Sequence, residues 1–401
     1  MLIDKLLDYV SYDTQSNENS ETCPSTEKQK LLGKHLYDEL NKLGLKDILM
    51  DEYGYVYAYL DGNSEKPTIG LLAHMDTSDG ASGENVKPRV IEDYDGNDIK
   101  LNANVTSEVS KFPILKDYIG KTLVVTDGNT LLGADDKAGI AIIMETLEYI
   151  INNNDINHGP IRIAFTPDEE IGKGTNHFNY DLFKVDFAYT IDGDKPDNIE
   201  YENFNGASVD VCFKGISVHP GSAKDIMVNA ISLAMEFNSY LDPMMVPEHT
   251  EGYEGFNHMT NIEGDVANVK LQYIIRNHDM NKLEKQKKSF IQIQDILNEK
   301  YGYDCVNVTI EDKYHNMKEK FIDNMYPIDL VHKAMDELNM NFKSVAIRGG
   351  TDGANLTWKG ILCPNLGTGG AYFHGVHEFW CKEDGEQVVK LLLKIFELSQ
   401  K

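Results

Sequence analysis

Residues 123–152 read LVVTDGNTLLGADDKAGIAIIMETLEYIIN: a short apolar run at 123–126, a turn rich in aspartate, and a long apolar helix pattern. Two further apolar runs follow, at 161–165 and 187–191, each with the length of a buried strand. Strand, helix and strand in this order predict an α/β domain with a mostly parallel sheet flanked by helices. The run 68–73 adds another buried strand to that sheet.

The sequence pattern changes near residue 206, where alternating strand patterns replace the long apolar runs. From there to about residue 314, the spacing predicts strands at 207–213, 269–275 and 306–310 and helices at about 223–240 and 279–299. These elements make a compact α+β unit inserted into the α/β pattern, which resumes after it. We therefore predict a larger domain of residues 1–205 and 315–401 and an inserted domain of residues 206–314.

The composition excludes several classes of partner. The 401 residues carry a formal net charge of -27, which opposes binding to nucleic acid and to anionic membranes. Five widely spaced cysteines without a C-x-x-C motif argue against a disulfide framework and a cysteine zinc site. Acidic residues interrupt the N-terminal stretch 1–8, and no apolar run reaches about 18 residues, so we expect a cytoplasmic protein without a membrane span.

Side chains that bind metal ions follow the predicted strands. In an open parallel sheet, ligands bind beyond the carboxyl ends of the strands, so these groups are expected to meet at one edge. They are His74, Asp135, Glu170 and Asp192, with His374 in a later glycine-rich loop. Two histidines and three carboxylates suit zinc, with manganese or cobalt as substitutes. Five ligands are too many for one tetrahedral ion, so we predict two ions that share a bridging carboxylate and can hold a hydroxide between them.

Two acidic residues remain beside these ligands. Asp76 lies two residues after His74, so in an extended segment it can accept the second N–H of that imidazole. Glu169 precedes Glu170 and, if it binds no metal, can move a proton as a general base. Each motif alone also fits an ordinary solvated turn. Their joint occurrence at strand ends favours the metal site.

These motifs, in order and spacing, resemble the co-catalytic zinc peptidases, a family that includes carboxypeptidase G and the acyl-amino-acid deacylases. Within it, the peptidase T group of tripeptide aminopeptidases is the most similar, and the resemblance covers essentially the whole chain. The blocks that carry it are Leu131–Gly139, Phe165–Gly174, Glu202–Asn205, Glu251–Phe256, Ile347–Gly353 and Cys363–Leu366.

The resemblance implies a role for each ligand. Asp135 is expected to bridge the two metals, His74 and Asp192 to complete one ion's ligand set, and Glu170 and His374 to complete the other's. Glu169 is implied as the general base and Asp76 as the residue that orients His74. The family pattern places the ligand histidine four residues before a glutamate, which selects His374, with Glu378 after it, over His377.

The resemblance also implies that the inserted domain is a lid. His219, in the segment Val218–Gly221, resembles a residue that binds substrate or the developing oxyanion, although a strand-end turn explains it as well. Arg276 and Arg348 resemble arginines that can clamp a substrate carboxylate, although ordinary salt bridges are the alternative. Asn277 replaces the aspartate that follows the first arginine in relatives, which puts a partner of Arg276 in doubt.

The resemblance therefore implies release of the N-terminal residue from tripeptides, with two Zn²⁺ per subunit and short peptides as partners. Another amide hydrolase of the same superfamily, such as a dipeptidase, carboxypeptidase or deacylase, is the alternative. A non-catalytic peptide-binding protein is a further one, but retention of Asp76 and Glu169, which bind no metal, argues against it. A homodimer and a monomer both remain open.

Overall fold

The structure is a computed structural model that describes residues 1–65, 67–153 and 156–400. The helices are α1 (Leu2–Tyr9), α2 (Gln29–Leu43), α3 (Ala134–Asn152), α4 (Ala230–Ser239), α5 (Met280–Tyr301), α6 (Lys318–Phe321), α7 (Tyr326–Glu337), α8 (Asp352–Trp358) and α9 (Lys382–Leu398). The strands are β1 (Lys46–Met50), β2 (Val56–Leu60), β3 (Ile69–His74), β4 (Arg89–Ile91), β5 (Ile99–Lys100), β6 (Thr106–Ser107), β7 (Leu123–Val125), β8 (Ile161–Thr166), β9 (Phe187–Gly193), β10 (Asn198–Asn203), β11 (Asn205–Lys214), β12 (Phe256–Gly264), β13 (Asn268–Asn277), β14 (Val306–Tyr314), β15 (Lys343–Ile347), β16 (Asn365–Gly367), β17 (Gly370–Ala371) and β18 (Phe379–Cys381). Within the described ranges, no helix combines the length and apolar character that a membrane span requires.

The chain divides into two compact units. The first contains residues 1–201, 320–345 and 351–401, and the second contains residues 202–319 and 346–350. The second unit therefore extends a few residues beyond the predicted bounds of 206 and 314 at each end. It also takes a short segment that we expected in the larger domain, because Arg348 in that segment donates hydrogen bonds to the carbonyls of Gly252 and Glu254.

An eight-stranded mixed sheet forms the centre of the first unit, in the order β1-β2-β8-β3-β9-β16-β10-β15. The central strands β8, β3, β9 and β16 are parallel to one another. The outer strands β1, β2 and β10 pair antiparallel. The predicted α/β fold with a parallel sheet core is confirmed, and antiparallel strands at the edges extend it.

Helices cover both faces of this sheet. On one face, α3 packs against β3 and β9, with α1 and α9 beside it. On the other face, Leu72, Ala164 and Ala188 pack with Phe183 and with Leu356 of α8. β3 is consequently buried along its whole length, which explains why its sequence is an unbroken apolar run. The helices cover the two faces of the sheet, and polar side chains gather at the carboxyl ends of the parallel strands.

β7 departs from the predicted topology. It lies in a separate antiparallel sheet with the order β17-β18-β7-β4. The apolar side of that sheet packs in its own cluster, which includes Tyr118, Leu123 and Phe379. The prediction that placed strand 123–126 in the parallel sheet is therefore wrong, because β7 finds its hydrogen-bond partners in β4 and β18.

The second unit is a four-stranded antiparallel sheet, in the order β12-β13-β11-β14, whose core side chains pack with α4 and α5. β13 alternates buried and less buried residues, as expected for a strand with one covered face. The helix predicted at about 223–240 begins only at Ala230. The side chain of Asn229 accepts a hydrogen bond from the N–H of Ile231 and caps the helix there.

Candidate metal centre

Three strands of the parallel sheet bring polar side chains to one edge. His74 is the last residue of β3 and pairs in register with Thr166, the last residue of β8. Glu169 and Glu170 lie in the turn after β8, separated from its end by two residues, and Asp192 is the residue before the end of β9. Because the strands are parallel and adjacent, all of these groups arrive at the same end of the sheet.

Asp135 reaches the same place by another route. It lies in the non-helical first turn of α3, just after Gly133, whose φ of 79° lies in the left-handed region. A β-carbon at Gly133 would also meet Thr77 Cγ2 at 3.3 Å, so glycine suits this turn both sterically and conformationally. The helix N-terminus favours the negative charge that Asp135 carries.

The side chain of Asp135 lies between the two histidines. Its Oδ1 is 2.9 Å from Nε2 of His74, and its Oδ2 is 3.1 Å from Nε2 of His374. Nε2 of His74 is also 3.3 Å from Oδ1 of Asp192, and Nε2 of His374 is 3.1 Å from Oε2 of Glu170. The five predicted ligands thus meet as two histidine–carboxylate pairs with one carboxylate between them.

His374 and His377 differ in their surroundings. His374 lies in the loop between β17 and β18, and about half of its side chain is exposed to solvent. His377 instead places Nδ1 2.9 Å from the hydroxyl of Ser107 and packs against the ring of Phe112. The structure therefore brings His374 to the other ligands and turns His377 toward a neighbouring loop.

Asp76 connects His74 to the turn that carries the two glutamates. Nδ1 of His74 lies 3.0 Å from the main-chain carbonyl of Asp76 and 3.4 Å from its Oδ1. A proton on Nδ1 leaves the Nε2 lone pair free to bind a cation. The carboxylate of Asp76 also accepts the main-chain N–H groups of Glu169 at 2.9 Å and of Glu170 at 3.2 Å. The hydrogen-bond partner of Nδ1 is thus the main-chain carbonyl of Asp76, where the carboxylate was predicted, and the carboxylate holds the turn of the two glutamates.

Two further buried carboxylates hold the start of α3. Glu378 accepts four consecutive main-chain N–H groups, from residues 132 to 135, at 2.7 to 3.2 Å. Asp136 accepts the main-chain N–H of His74 at 3.2 Å and of Gly139 at 3.1 Å. Sequence reasoning assigned neither residue a role at the site. The four-residue spacing from His374 was the one signal that singled out Glu378.

Three carboxylates of the site, those of Glu169, Glu170 and Asp192, resist ionisation. The pKa of Asp135 instead lies below its ordinary value, because the effect of burial is outweighed by hydrogen bonds with His374 and His74. Burial, aided by the charge of Asp135, raises the pKa of Glu170 to about 7. Burial also raises the pKa of Asp192 to about 6, although His74 opposes the shift. The pKa of Glu169 lies well above its ordinary value because of burial and the charge of Asp192. A divalent cation offsets this repulsion and favours the ionised carboxylates.

The donor set fits divalent cations. The ligand atoms of His74, Asp135 and Glu170 lie within 4.8 Å of one another, as do those of His74, Asp136 and Asp192. Oε1 of Glu170 is buried and has no hydrogen-bond partner within the part of the chain that the structure describes. A buried carboxylate oxygen without a donor is unfavourable unless a cation is bound nearby.

The three residues predicted to bind substrate all lie in the second unit. Nδ1 of His219 accepts a hydrogen bond from a main-chain N–H two residues later. Arg276 lies over the ring of Tyr314 and donates to two main-chain carbonyls, while Arg348 donates to several carbonyls of residues 250–254. The side chain of Asn277 donates to a buried glutamine of α5. The substrate contacts of these residues stay predictions.

Residues 124–398 match the model of peptidase family M20/M25/M40. A protein named peptidase T from Clostridium novyi is 50% identical over 404 residues, which cover 100% of this chain and 99% of that relative. Another from Clostridium acetobutylicum is 49% identical over 401 residues, 99% of this chain and 98% of that one. Among solved structures, a tripeptidase from Staphylococcus aureus has a TM-score of 0.80 at 23% identity, over 100% of this chain and 98% of that chain. A dinuclear metal-binding M20 peptidase from Bacillus subtilis has a TM-score of 0.65 at 15% identity, over 99% and 96%.

Proposed function

The chain belongs to peptidase family M20/M25/M40, and on that basis we propose that it is a zinc-dependent aminopeptidase that releases the N-terminal residue from tripeptides. The observation that carries the proposal is the position of Asp135 between two histidine–carboxylate pairs. This arrangement occurs in a chain that is half identical, over its whole length, to relatives named peptidase T.

Two ions are the natural occupants of this donor set. His74 and Asp192 would hold one, His374 and Glu170 the other, and the two oxygens of Asp135 would serve both. Mixed imidazole and carboxylate ligands favour Zn²⁺, with Mn²⁺ or Co²⁺ as substitutes. When bound, such a pair lowers the pKa of water and polarises a peptide carbonyl.

Glu169 supplies the proton transfer. It lies beside Glu170, and its raised pKa suits a group that accepts a proton and then gives it up. Glu169 takes a proton from the attacking water and returns it to the nitrogen that leaves as the peptide C–N bond breaks. Asp76 holds the main chain of Glu169, so this base is fixed relative to His74.

Recognition of both ends of the substrate sets its length. A tripeptide presents a free amine and a free carboxylate, and the charge of -27 favours approach of the cationic amine. Arg276 and Arg348 are the residues that we expect to bind the carboxylate, and His219 is expected to assist at the substrate carbonyl. We expect the enzyme to act on short peptides in the cytoplasm.

A comparison of three substrates tests the proposal. The zinc-loaded protein is incubated with an unblocked tripeptide, its N-acetylated form and the matching dipeptide, with and without a chelator. Chelator-sensitive release of the first residue, from the free tripeptide alone, is the expected result. Cleavage of the acetylated peptide or of the dipeptide would assign a sister activity. Binding of the tripeptide without any product would favour a non-catalytic peptide-binding protein.

A further inference from the structure

Asp168 is a fully buried carboxylate that the proposed chemistry does not use; its exposed fraction is 0%. Its Oδ2 accepts the main-chain N–H of Ser25 at 2.7 Å. Its Oδ1 accepts the hydroxyl of Ser25 at 2.5 Å and the side-chain amide of Gln29 at 2.7 Å. The main-chain N–H of Asp168 donates back to Oε1 of Gln29 at 3.2 Å. Four hydrogen bonds therefore join Asp168 to two residues at the start of α2.

The turn that begins at Asp168 carries both functional glutamates. Asp168 has a φ of 59°, in the left-handed region that aspartate and asparagine tolerate better than most residues. The next two main-chain N–H groups, those of Glu169 and Glu170, donate to the carboxylate of Asp76. The turn is thus held from one side by Ser25 and Gln29 and from the other side by Asp76.

The segment that holds Asp168 also holds the loop after β3. The main-chain N–H of Ser16 donates to the carbonyl of Thr77 at 3.1 Å. The side-chain amide of Gln15 donates to the carbonyls of Ser78 and Ala81, each at 3.0 Å. Residues 15–29 therefore bind the loop that follows His74 and the loop that carries the two glutamates, and Asp168 is the contact of the glutamate loop.

We propose that Asp168 is a positioning residue of the metal centre: its bonds to Ser25 and Gln29 place Glu170 for metal binding and Glu169 for proton transfer. Loss of the carboxylate removes the three hydrogen bonds that it accepts from Ser25 and Gln29 and leaves the weaker main-chain bond to Gln29 and the contacts with Asp76. Both glutamate side chains would then move away from His374 and from the reacting groups. The inference rests on the proposed function, because the two glutamates take their roles from it.

Asp168→Asn is the variant that tests the inference, because asparagine keeps the size and the tolerance of a left-handed φ. The asparagine side chain has an NH₂ group where aspartate has an oxygen. This hydrogen-bond donor would face the donors of Ser25 or Gln29 in place of an acceptor. We expect Zn²⁺ titration of the metal-free protein by calorimetry to show one equivalent bound as in the wild type and one weakened about 10–100-fold. The value of kcat should fall by a similar factor, with KM nearly unchanged.

A reciprocal variant distinguishes positioning from a general loss of stability. In Asp168→Asn combined with Gln29→Glu, the new amide can donate to the new carboxylate, so the second Zn²⁺ affinity and kcat should recover in part. Asp181→Asn, at an exposed site in the same unit, controls for the loss of one negative charge and should leave both values unchanged. Ser25→Ala removes one of the four hydrogen bonds of Asp168, together with the hydroxyl that accepts the main-chain N–H of Asn17. It should weaken the same Zn²⁺ equivalent to a smaller extent.

Equal Zn²⁺ affinities and kcat in wild type, Asp168→Asn and Ser25→Ala would overturn the inference, as would an effect confined to the thermal midpoint. If Asp168→Asn does not fold by circular dichroism, Ser25→Ala and the reciprocal variant decide the question. A wild type that binds two Zn²⁺ but cleaves no tripeptide would remove the proposed function. The Zn²⁺ affinities would still test the placement of Glu170 by Asp168.

Discussion

Glu169 is the residue whose loss should separate metal binding from turnover. In the part of the chain that the structure describes, the Nε2 atoms of His74 and His374 contact the carboxylates of Asp135, Asp192 and Glu170 and not that of Glu169. We therefore expect Glu169→Ala to bind Zn²⁺ as the wild type does and to lose about 10²–10⁴-fold in kcat. Calorimetry and steady-state kinetics on the same preparation measure the two quantities. Near-normal turnover in this variant would remove the general-base assignment.

Glu378 should matter for stability as well as for activity. Its two oxygens accept the four N–H groups at the start of α3, and an amide in their place turns one oxygen into a donor. We expect Glu378→Gln to lower the free energy of unfolding by about 1–3 kcal/mol, measured by urea denaturation of the metal-free protein.

Glu386→Gln is the matched control for Glu378. Glu386 pairs with Lys382 at 3.3 Å on the surface of α9, where an ion pair contributes about 0–1 kcal/mol. Equal unfolding free energies for the two variants would show that the bonds of Glu378 to α3 contribute no special stability.

Glu200 should make stability depend on pH. Burial, with the charges of Asp194 and Asp192, raises the pKa of Glu200 from its ordinary 4.5 to about 8. The folded protein therefore keeps a proton that the unfolded chain has released. Its contribution to the free energy of unfolding is complete below pH 4.5 and is lost as the pH rises through about 8.

Glu200→Gln removes this dependence, so the variant should gain stability relative to the wild type as the pH is raised. Urea denaturation of both metal-free proteins at a series of pH values between about 4 and 9 measures the difference. Parallel stability curves for the two proteins would contradict the assignment.

At the scale of elements, the contact of α3 with β9 is close enough to require glycine. A β-carbon at Gly139 would lie 1.9 Å from the carbonyl oxygen of Ile191 and 2.4 Å from Oδ1 of Asp136. We expect Gly139→Ala to destabilise the protein by about 1–3 kcal/mol, although alanine favours helices, because backbone would have to move. Thermal unfolding measures the effect.

Gly349→Ala is the control for this contact, since a β-carbon there meets one atom, at 4.0 Å. A Gly139→Ala variant as stable as Gly349→Ala would show that α3 can move away from β9 without cost.

Elements with a local signal could be predicted from the sequence. The apolar runs of β3, β8 and β9 and the helix pattern of α3 lie close to the bounds that the structure gives them. The partners of β7 could not be predicted, because β4 and β18 are distant in sequence and pair with it through main-chain groups. The start of α4 was predicted too early. Apolar residues continue on both sides of Asn229, so the pattern does not show that the helix begins after this capping residue.

The same reasoning applies to the site. The sequence predicted which side chains meet at the site, because histidine and carboxylates at strand ends are easily recognised; their role as metal ligands stays a prediction. The sequence did not reveal the roles of three buried carboxylates, those of Asp136, Asp168 and Glu378. Each of them accepts hydrogen bonds from main-chain N–H groups. Every residue except proline has such a group, so the donor cannot be recognised from the residue type. No side-chain pattern marks such acceptors.

At the scale of the whole molecule, divalent cations should couple activity to stability. The net charge is -27, and the carboxylates of the site repel one another without a cation. We expect a chelator to abolish peptide cleavage and to lower the thermal midpoint. A cation at about 100 times its dissociation constant should restore about 2.7 kcal/mol per site.

His374→Ala is the control for this coupling. It should keep the stabilisation that a cation at His74 gives and lose the stabilisation that a cation at His374 gives. A thermal midpoint that does not respond to Zn²⁺ in the wild type would contradict a metal centre at these residues.

The order of strands in the sheet sets when the molecule becomes active during its synthesis. β16 lies between β9 and β10, yet it is made after the whole second unit, and His374 follows it. A chain still on the ribosome at residue 319 lacks β16, which lies between β9 and β10, and lacks His374, one of the five proposed ligands. With the proposed ligand set, we expect peptide cleavage to begin only when translation is nearly finished, and we expect a chain that ends before His374 to lack it.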